Sequence, residues 1–163
     1  MARVLIVGCG CRGQALAREL VARGHAARGT TRARARLEAV RAAGAEPFLG
    51  DPDRIGTLMA ALEGVTIVCW LLGSARGSLA QLEALHGDRL RMLFQRLVDT
   101  PVRGVVYEGA GSAGSEVLAG GVEVARGAER TWAIPVTVLA ADPAHHARWH
   151  AAAWRAVEGL LGG

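Results

Sequence analysis

Residues 3–25 read "RVLIVGCGCRGQALARELVARGH": a short β-rich run that stops on glycine and resumes as a helix. The run covers residues 4–7, the glycines stand at 8, 10 and 13, and a helical pattern follows over 14–23. In that pattern Leu16 and Leu20 fall on one face with Val21 beside them, the spacing of an amphipathic helix. Between a strand and a helix, each glycine has its own task. Gly8 permits a tight turn, Gly10 leaves the backbone bare for a pyrophosphate, and Gly13 lets helix and strand pack closely. The helix N-terminus adds unpaired N–H groups and partial positive charge, which favour phosphate. The whole loop, Gly8, Cys9, Gly10, Cys11, Arg12 and Gly13, is therefore the candidate cradle of a dinucleotide.

The rest of the chain alternates in the same way. Further strands are expected over 26–30, 46–49, 65–72, 104–107 and 135–140. Helices are expected over 32–43, 54–62, 79–97, 122–131 and 144–161. The run "VTIVCWLL" at 65–72 is apolar on both faces, as a strand covered on both sides must be. Six strands separated by helices imply an α/β fold, a doubly wound parallel sheet of about six strands (a Rossmann fold). One domain over 1–163, with no separate substrate domain, is the expectation.

Composition excludes several classes. In 163 residues no apolar run reaches the roughly 18–20 needed to cross a bilayer, and residues 1–13 lack a secretory pattern. A cytoplasmic protein without a membrane partner is expected. All 19 basic residues are Arg, so Schiff-base chemistry and a phosphate-loop lysine are excluded. The net charge is only +4, and the arginine run 28–41 lacks interleaved aromatics, so no nucleic-acid partner is expected. Cysteines at 9, 11 and 69 form no CxxC pair and no zinc spacing, so neither a disulfide framework nor a metal site is expected.

The end of the second strand bears on the choice of nucleotide. NAD-binding sequences place Asp or Glu there for the ribose 2′-OH. Here "RGTTRAR", 28–34, has no acid. Thr30 and Thr31 offer hydroxyls, and Arg32 offers a planar cation suited to a 2′-phosphate. NADP is expected over NAD.

With these residues the chain resembles the short-chain dehydrogenase/reductase superfamily, in its atypical and extended branches: the NAD-dependent epimerase/dehydratase-like and NmrA-like proteins. "VLIVGCGCRGQALARELVARGH" with "GTTR" is similar to their first βαβ unit, "EPFLGDPDR" at 46–54 to their third strand, "VCWLLGSA" at 69–76 to their fourth and "IPVTVLAAD" at 134–142 to their sixth. The resemblance implies that Asp51 lies by the adenine. It also implies that Leu72, Gly73 and Ser74 border the nicotinamide half.

The catalytic part departs from that family. Its enzymes use a Tyr-x-x-x-Lys pair on the helix after the fifth strand, the lysine lowering the tyrosine pKa. Alignment puts Gly121 and Ala125 at those positions, and the chain has no lysine anywhere. The single tyrosine, Tyr107, falls within the fifth strand, where it reads as a packing residue. Ser112, Ser115 and Glu108 are weak candidates, so the catalytic residues are unknown. Standard short-chain dehydrogenase catalysis is not expected.

In the last helix Asp142 is the expected N-cap and Pro143 the first helical residue. His146 and His150 share a face and read as surface or interface residues, while Trp149 and Trp154 suit a core or a subunit seam. Since the family commonly dimerises through helices, a homodimer is expected. Two functions follow: an NAD(P)-dependent oxidoreductase or epimerase-like protein acting on a small molecule without the usual pair, or a nonenzymatic NADP(H)-sensing regulator, as NmrA-like proteins are.

Overall fold

The computed structural model describes residues 1–163. Six strands, β1 Arg3–Val7, β2 Ala26–Thr31, β3 Glu46–Leu49, β4 Ile67–Trp70, β5 Gly104–Glu108 and β6 Val136–Leu139, form one sheet. Every neighbouring pair is parallel, and the order is β3-β2-β1-β4-β5-β6. The chain builds outward from β1 to β3, then crosses back and builds the other way from β4. This reversal opens a crevice at the carboxyl ends of β1 and β4, the place where such sheets bind ligands.

Six helices cover the sheet: α1 Cys11–Ala22, α2 Leu37–Ala42, α3 Leu79–His86, α4 Asp88–Leu97, α5 Ser115–Trp132 and α6 His146–Gly162. Alternate strand residues feed two cores. Leu5, Val7, Val68 and Trp70 pack with Leu90, Phe94 and Ala125 on one face. Val4, Ile6, Ile67 and Cys69 pack with Leu16, Leu20, Trp149 and Val157 on the other. Both faces of β1 and β4 are buried, which is why those strands read as unbroken apolar runs. Each such side chain stabilises the fold by about 1.5–3 kcal/mol relative to exposure.

Several boundaries differ from the sequence reading. Helix α5 begins at Ser115, seven positions before the expected start at 122. Its glycines lower intrinsic propensity, but Leu118, Gly121 and Ala125 bury against the sheet and packing prevails. The helix expected over 79–97 is two, broken at Gly87 (φ −116°, ψ −100°). The one expected over 54–62 is a pair of 3-10 turns, Ile55–Leu58 and Ala60–Leu62. There the Thr57 hydroxyl donates to the Arg54 and Asp51 carbonyls, competing with a regular helix. The segment expected as a helix over 32–43 starts as a 3-10 turn, Arg34–Arg36, before α2. Asp142 does not cap α6, whose N-cap is His145; its Oδ1 accepts from Ala144 N instead.

Arg28 is drawn out of the basic run. It is buried on β2, where its Nε donates to Glu46 Oε2 at 2.9 Å and one terminal nitrogen to the Ala61 and Glu63 carbonyls. It fastens β2 and β3 to the 3-10 turns below the sheet.

Candidate dinucleotide site

The loop at the head of α1 has the shape that its glycines imply. Gly8 has φ +85°, and a Cβ there would lie 2.6 Å from the Leu71 carbonyl oxygen. At Gly13 a Cβ would press on Ile6 and on the Gly8 carbonyl at 3.1 and 3.3 Å. At Gly10 it would meet nothing within 4 Å. Two glycines are thus required by the protein's own packing, and the third faces open space. The loop is held from outside: Cys9 N donates to the Thr30 carbonyl at 3.1 Å, and Gly8 N to Thr30 Oγ1 at 3.3 Å. At the start of α1 the first amides have no intrahelical acceptor, so they are free for an anion. The residues present fit a diphosphate.

A cavity of about 250 Å³ runs from this loop to the end of β2. Gly8, Cys9, Gly10, Arg12, Thr30, Thr31, Arg32, Leu72 and Ser74, all expected from the sequence, line it. Cys11 and Gly13 line a smaller void of about 70 Å³ immediately below. Two expected residues stand aside. Asp51 is not on the wall, which is formed by Gly50 and Pro52, and its Oδ1 accepts the Asp53 amide at 3.0 Å. Gly73 is buried, with its amide donating to Glu108 Oε1 at 2.8 Å. Arg36 joins Arg32 in lining the cavity. The four-residue interval in a helical stretch was its only sequence signal.

Beyond Arg12 and Ser74 the cleft continues into a second cavity of about 530 Å³. Ser112, Asp142 and His146 line it. Its floor is tight: Ala113 N donates to the Gly73 carbonyl at 2.9 Å, and Gly111 packs on the Gly73 backbone. The histidine pair of α6 divides, since His146 faces this cavity while His150 Nε2 lies 3.7 Å from Glu19 Oε1. No three side chains of metal-ligating type converge.

Glu108, a weak candidate acid, is not open to the cleft. It is 1% exposed, and its second oxygen accepts the Trp149 indole N–H at 2.7 Å. Burial pushes its carboxyl up, while the Gly73 amide, the Trp149 indole and the Arg12 guanidinium draw it back. Trp149 belongs to the core rather than a surface seam. Cys9 and Cys69 are buried thiols pushed up to about 12 by desolvation, so they are inert as nucleophiles.

The helix position of the missing tyrosine is occupied from another direction. Tyr107 reaches from β5 to Gly121, and its hydroxyl fills the space that a Cβ there would need. The hydroxyl also lies 2.7 Å from His86 Nδ1, and His86 Nε2 lies 3.0 Å from the Leu72 carbonyl. Burial raises the Tyr107 pKa, as the neighbouring Glu108 charge also does, and burial lowers that of His86. This pair is a buried polar link that the sequence did not announce, because its members lie 21 residues apart.

An NAD(P)H-binding family matches residues 8–158. The chain belongs to that family. It is an NAD(P)H-binding protein built on a six-stranded parallel Rossmann sheet. Among solved structures, a superfamily protein from Agrobacterium tumefaciens with bound NAD has 19% identity and TM-score 0.68, covering 83% of this chain and 48% of that one. The UDP-glucuronic acid 4-epimerase from Bacillus cereus, in complex with NAD, has 12% identity and TM-score 0.67, covering 83% and 55%. A short-chain dehydrogenase from Streptomyces avermitilis has 24% identity and TM-score 0.65, covering 85% and 64%. The chain thus spans about half to two thirds of these relatives' length. No functionally curated protein matches the sequence.

These relatives overturn the expectation of NADP over NAD. Two of the structures contain NAD, and the family is NAD(P)H-binding without preference. The physical reason lies at Arg32. An exposed guanidinium can stack on an adenine as well as pair with a 2′-phosphate, so its presence selects neither nucleotide. No helix is long and apolar enough to cross a membrane.

Proposed function

We propose that the dinucleotide lies across the Arg12–Ser74 junction, with its diphosphate over Gly10 and its adenosine toward Thr31 and Arg32. The 530 Å³ cavity then receives the nicotinamide half. When bound, that group supplies hydride chemistry, while the chain supplies binding and orientation. We further propose that the chain works as a nonenzymatic, dinucleotide-responsive regulator built as one Rossmann domain. The observation that carries this is Tyr107 filling the space beside Gly121 in a chain without lysine, which leaves α5 no proton relay. Titration with NADH, followed by a screen for turnover over a panel of carbonyl compounds, tests it. Saturable binding without turnover is the expected result; cofactor-dependent reduction contradicts it.

A second reading is supported by Ser112 and His146 on the wall of that cavity. They make it a place for a small substrate, and the chain would then be an oxidoreductase or epimerase-like protein without the usual pair. The same screen separates the two readings.

A further inference from the structure

Arg12 is the only side chain that lines all three adjoining voids: the 250 Å³ cavity, the 530 Å³ cavity and the 70 Å³ void beneath the loop. It therefore stands where the two halves of the cleft meet. Its Nε is buried and has no hydrogen-bond partner. Its guanidinium carbon sits 5.8 Å from the centroid of the Trp149 ring. Glu108 and Trp149 line the 70 Å³ void together with Arg12. Both Glu108 oxygens are already fixed, one by the Gly73 amide and one by the Trp149 indole.

The arrangement is a cation resting on an aromatic face near a carboxylate whose own position is locked by the Gly73 amide in the loop after β4 and by the Trp149 indole of α6. A cation–π contact and a nearby opposite charge both restrict where the guanidinium can go. An arginine held in this way loses less side-chain freedom when it meets an anion, which raises affinity by preorganisation.

We propose that Glu108 is a positioning residue: with Trp149 it holds the Arg12 guanidinium at the cleft junction, where Arg12 grips the dinucleotide's diphosphate. The inference rests on the proposed placement of the dinucleotide. Glu108 never touches the ligand, so its effect must pass through Arg12. That dependence is what distinguishes it from a residue that only supports the fold.

The test is a double-mutant cycle with Arg12→Ala, Glu108→Gln and the pair together. NADH affinity is read by nicotinamide fluorescence, adenosine affinity by calorimetry, and folding by thermal melting. The expected result is a loss of NADH affinity of roughly tenfold for Arg12→Ala and several-fold for Glu108→Gln, with no further loss in the double variant. Adenosine, which has no phosphate, binds all four proteins alike. Additive losses overturn the inference, as do equal losses for NADH and adenosine or unchanged NADH affinity in Glu108→Gln. If Glu108→Gln does not fold, Trp149→Phe takes its place in the cycle; it keeps a ring under Arg12 but frees one Glu108 oxygen. The same outcomes then decide. A wild type that binds no NADH removes the dinucleotide placement itself, whereas binding with an additive cycle removes only the role of Glu108.

Discussion

The hydroxyl of Tyr107 fills the space beside Gly121 that any larger residue at that position would need for its side chain. The two are complementary halves of one packing solution between β5 and α5. That solution uses the helix face where the resemblance to short-chain dehydrogenases leads one to expect a tyrosine. A residue restored at 121 therefore has nowhere to go while Tyr107 remains.

Gly121→Ala is expected to destabilise the protein by about 1–3 kcal/mol, the usual cost of overpacking a filled interior. Tyr107→Phe removes the hydroxyl and leaves a buried His86 nitrogen unpaired, which costs a similar amount, about 1–3 kcal/mol. Combined, the two substitutions should cost less than their sum, because the hydroxyl is the nearest atom the new methyl meets, although Cζ of the ring still has to shift. Urea denaturation of the three variants measures this; strict additivity contradicts the shared packing.

His86 gives the fold a pH dependence with a defined sign. Burial lowers its pKa from 6.5, so the unfolded chain takes up a proton that the folded chain resists. Its contribution to stability is whole above pH 6.5 and is lost as pH falls through the lower folded value. Denaturation midpoints at pH 7.5 and 5.5 should therefore differ more for wild type than for His86→Gln. An equal drop in both proteins would contradict a neutral, buried imidazole.

Arg28→Ala should destabilise the protein by about 2–4 kcal/mol, because it strips two backbone carbonyls and a carboxylate of a charged donor. It lies away from the cleft, so NADH affinity should stay within about twofold at temperatures where the variant is folded. A large selective loss of affinity would mean that Arg28 serves the site rather than the sheet.

What was legible in the sequence follows from locality. The β1–α1 unit could be read because its constraints are local and severe: a positive φ at Gly8, a close contact at Gly13 and apolar residues on both strand faces. The start of α5 was hidden because Gly120 and Gly121 read as loop residues, and only the packing of Tyr107 against Gly121 shows why the helix tolerates them. Glu108 ends an otherwise apolar strand, which hints at a partner, but Trp149 lies 41 residues away and no periodicity joins them. Arg32 shows the opposite failure. Its chemistry was visible, but an exposed cation serves either nucleotide, so residue type alone gave a false preference.

Gly10 isolates the central claim. A Cβ there meets no protein atom, so Gly10→Ala should fold with an unchanged melting temperature. The added methyl stands where the diphosphate must approach, so affinity for NADH should fall at least about tenfold, or ~1.4 kcal/mol. NADH titration into the wild type and Gly10→Ala, each with its melting curve, is the direct measurement. Saturable wild-type binding that collapses in an equally stable variant is the predicted result. No wild-type binding, or equal binding by both proteins, would contradict it.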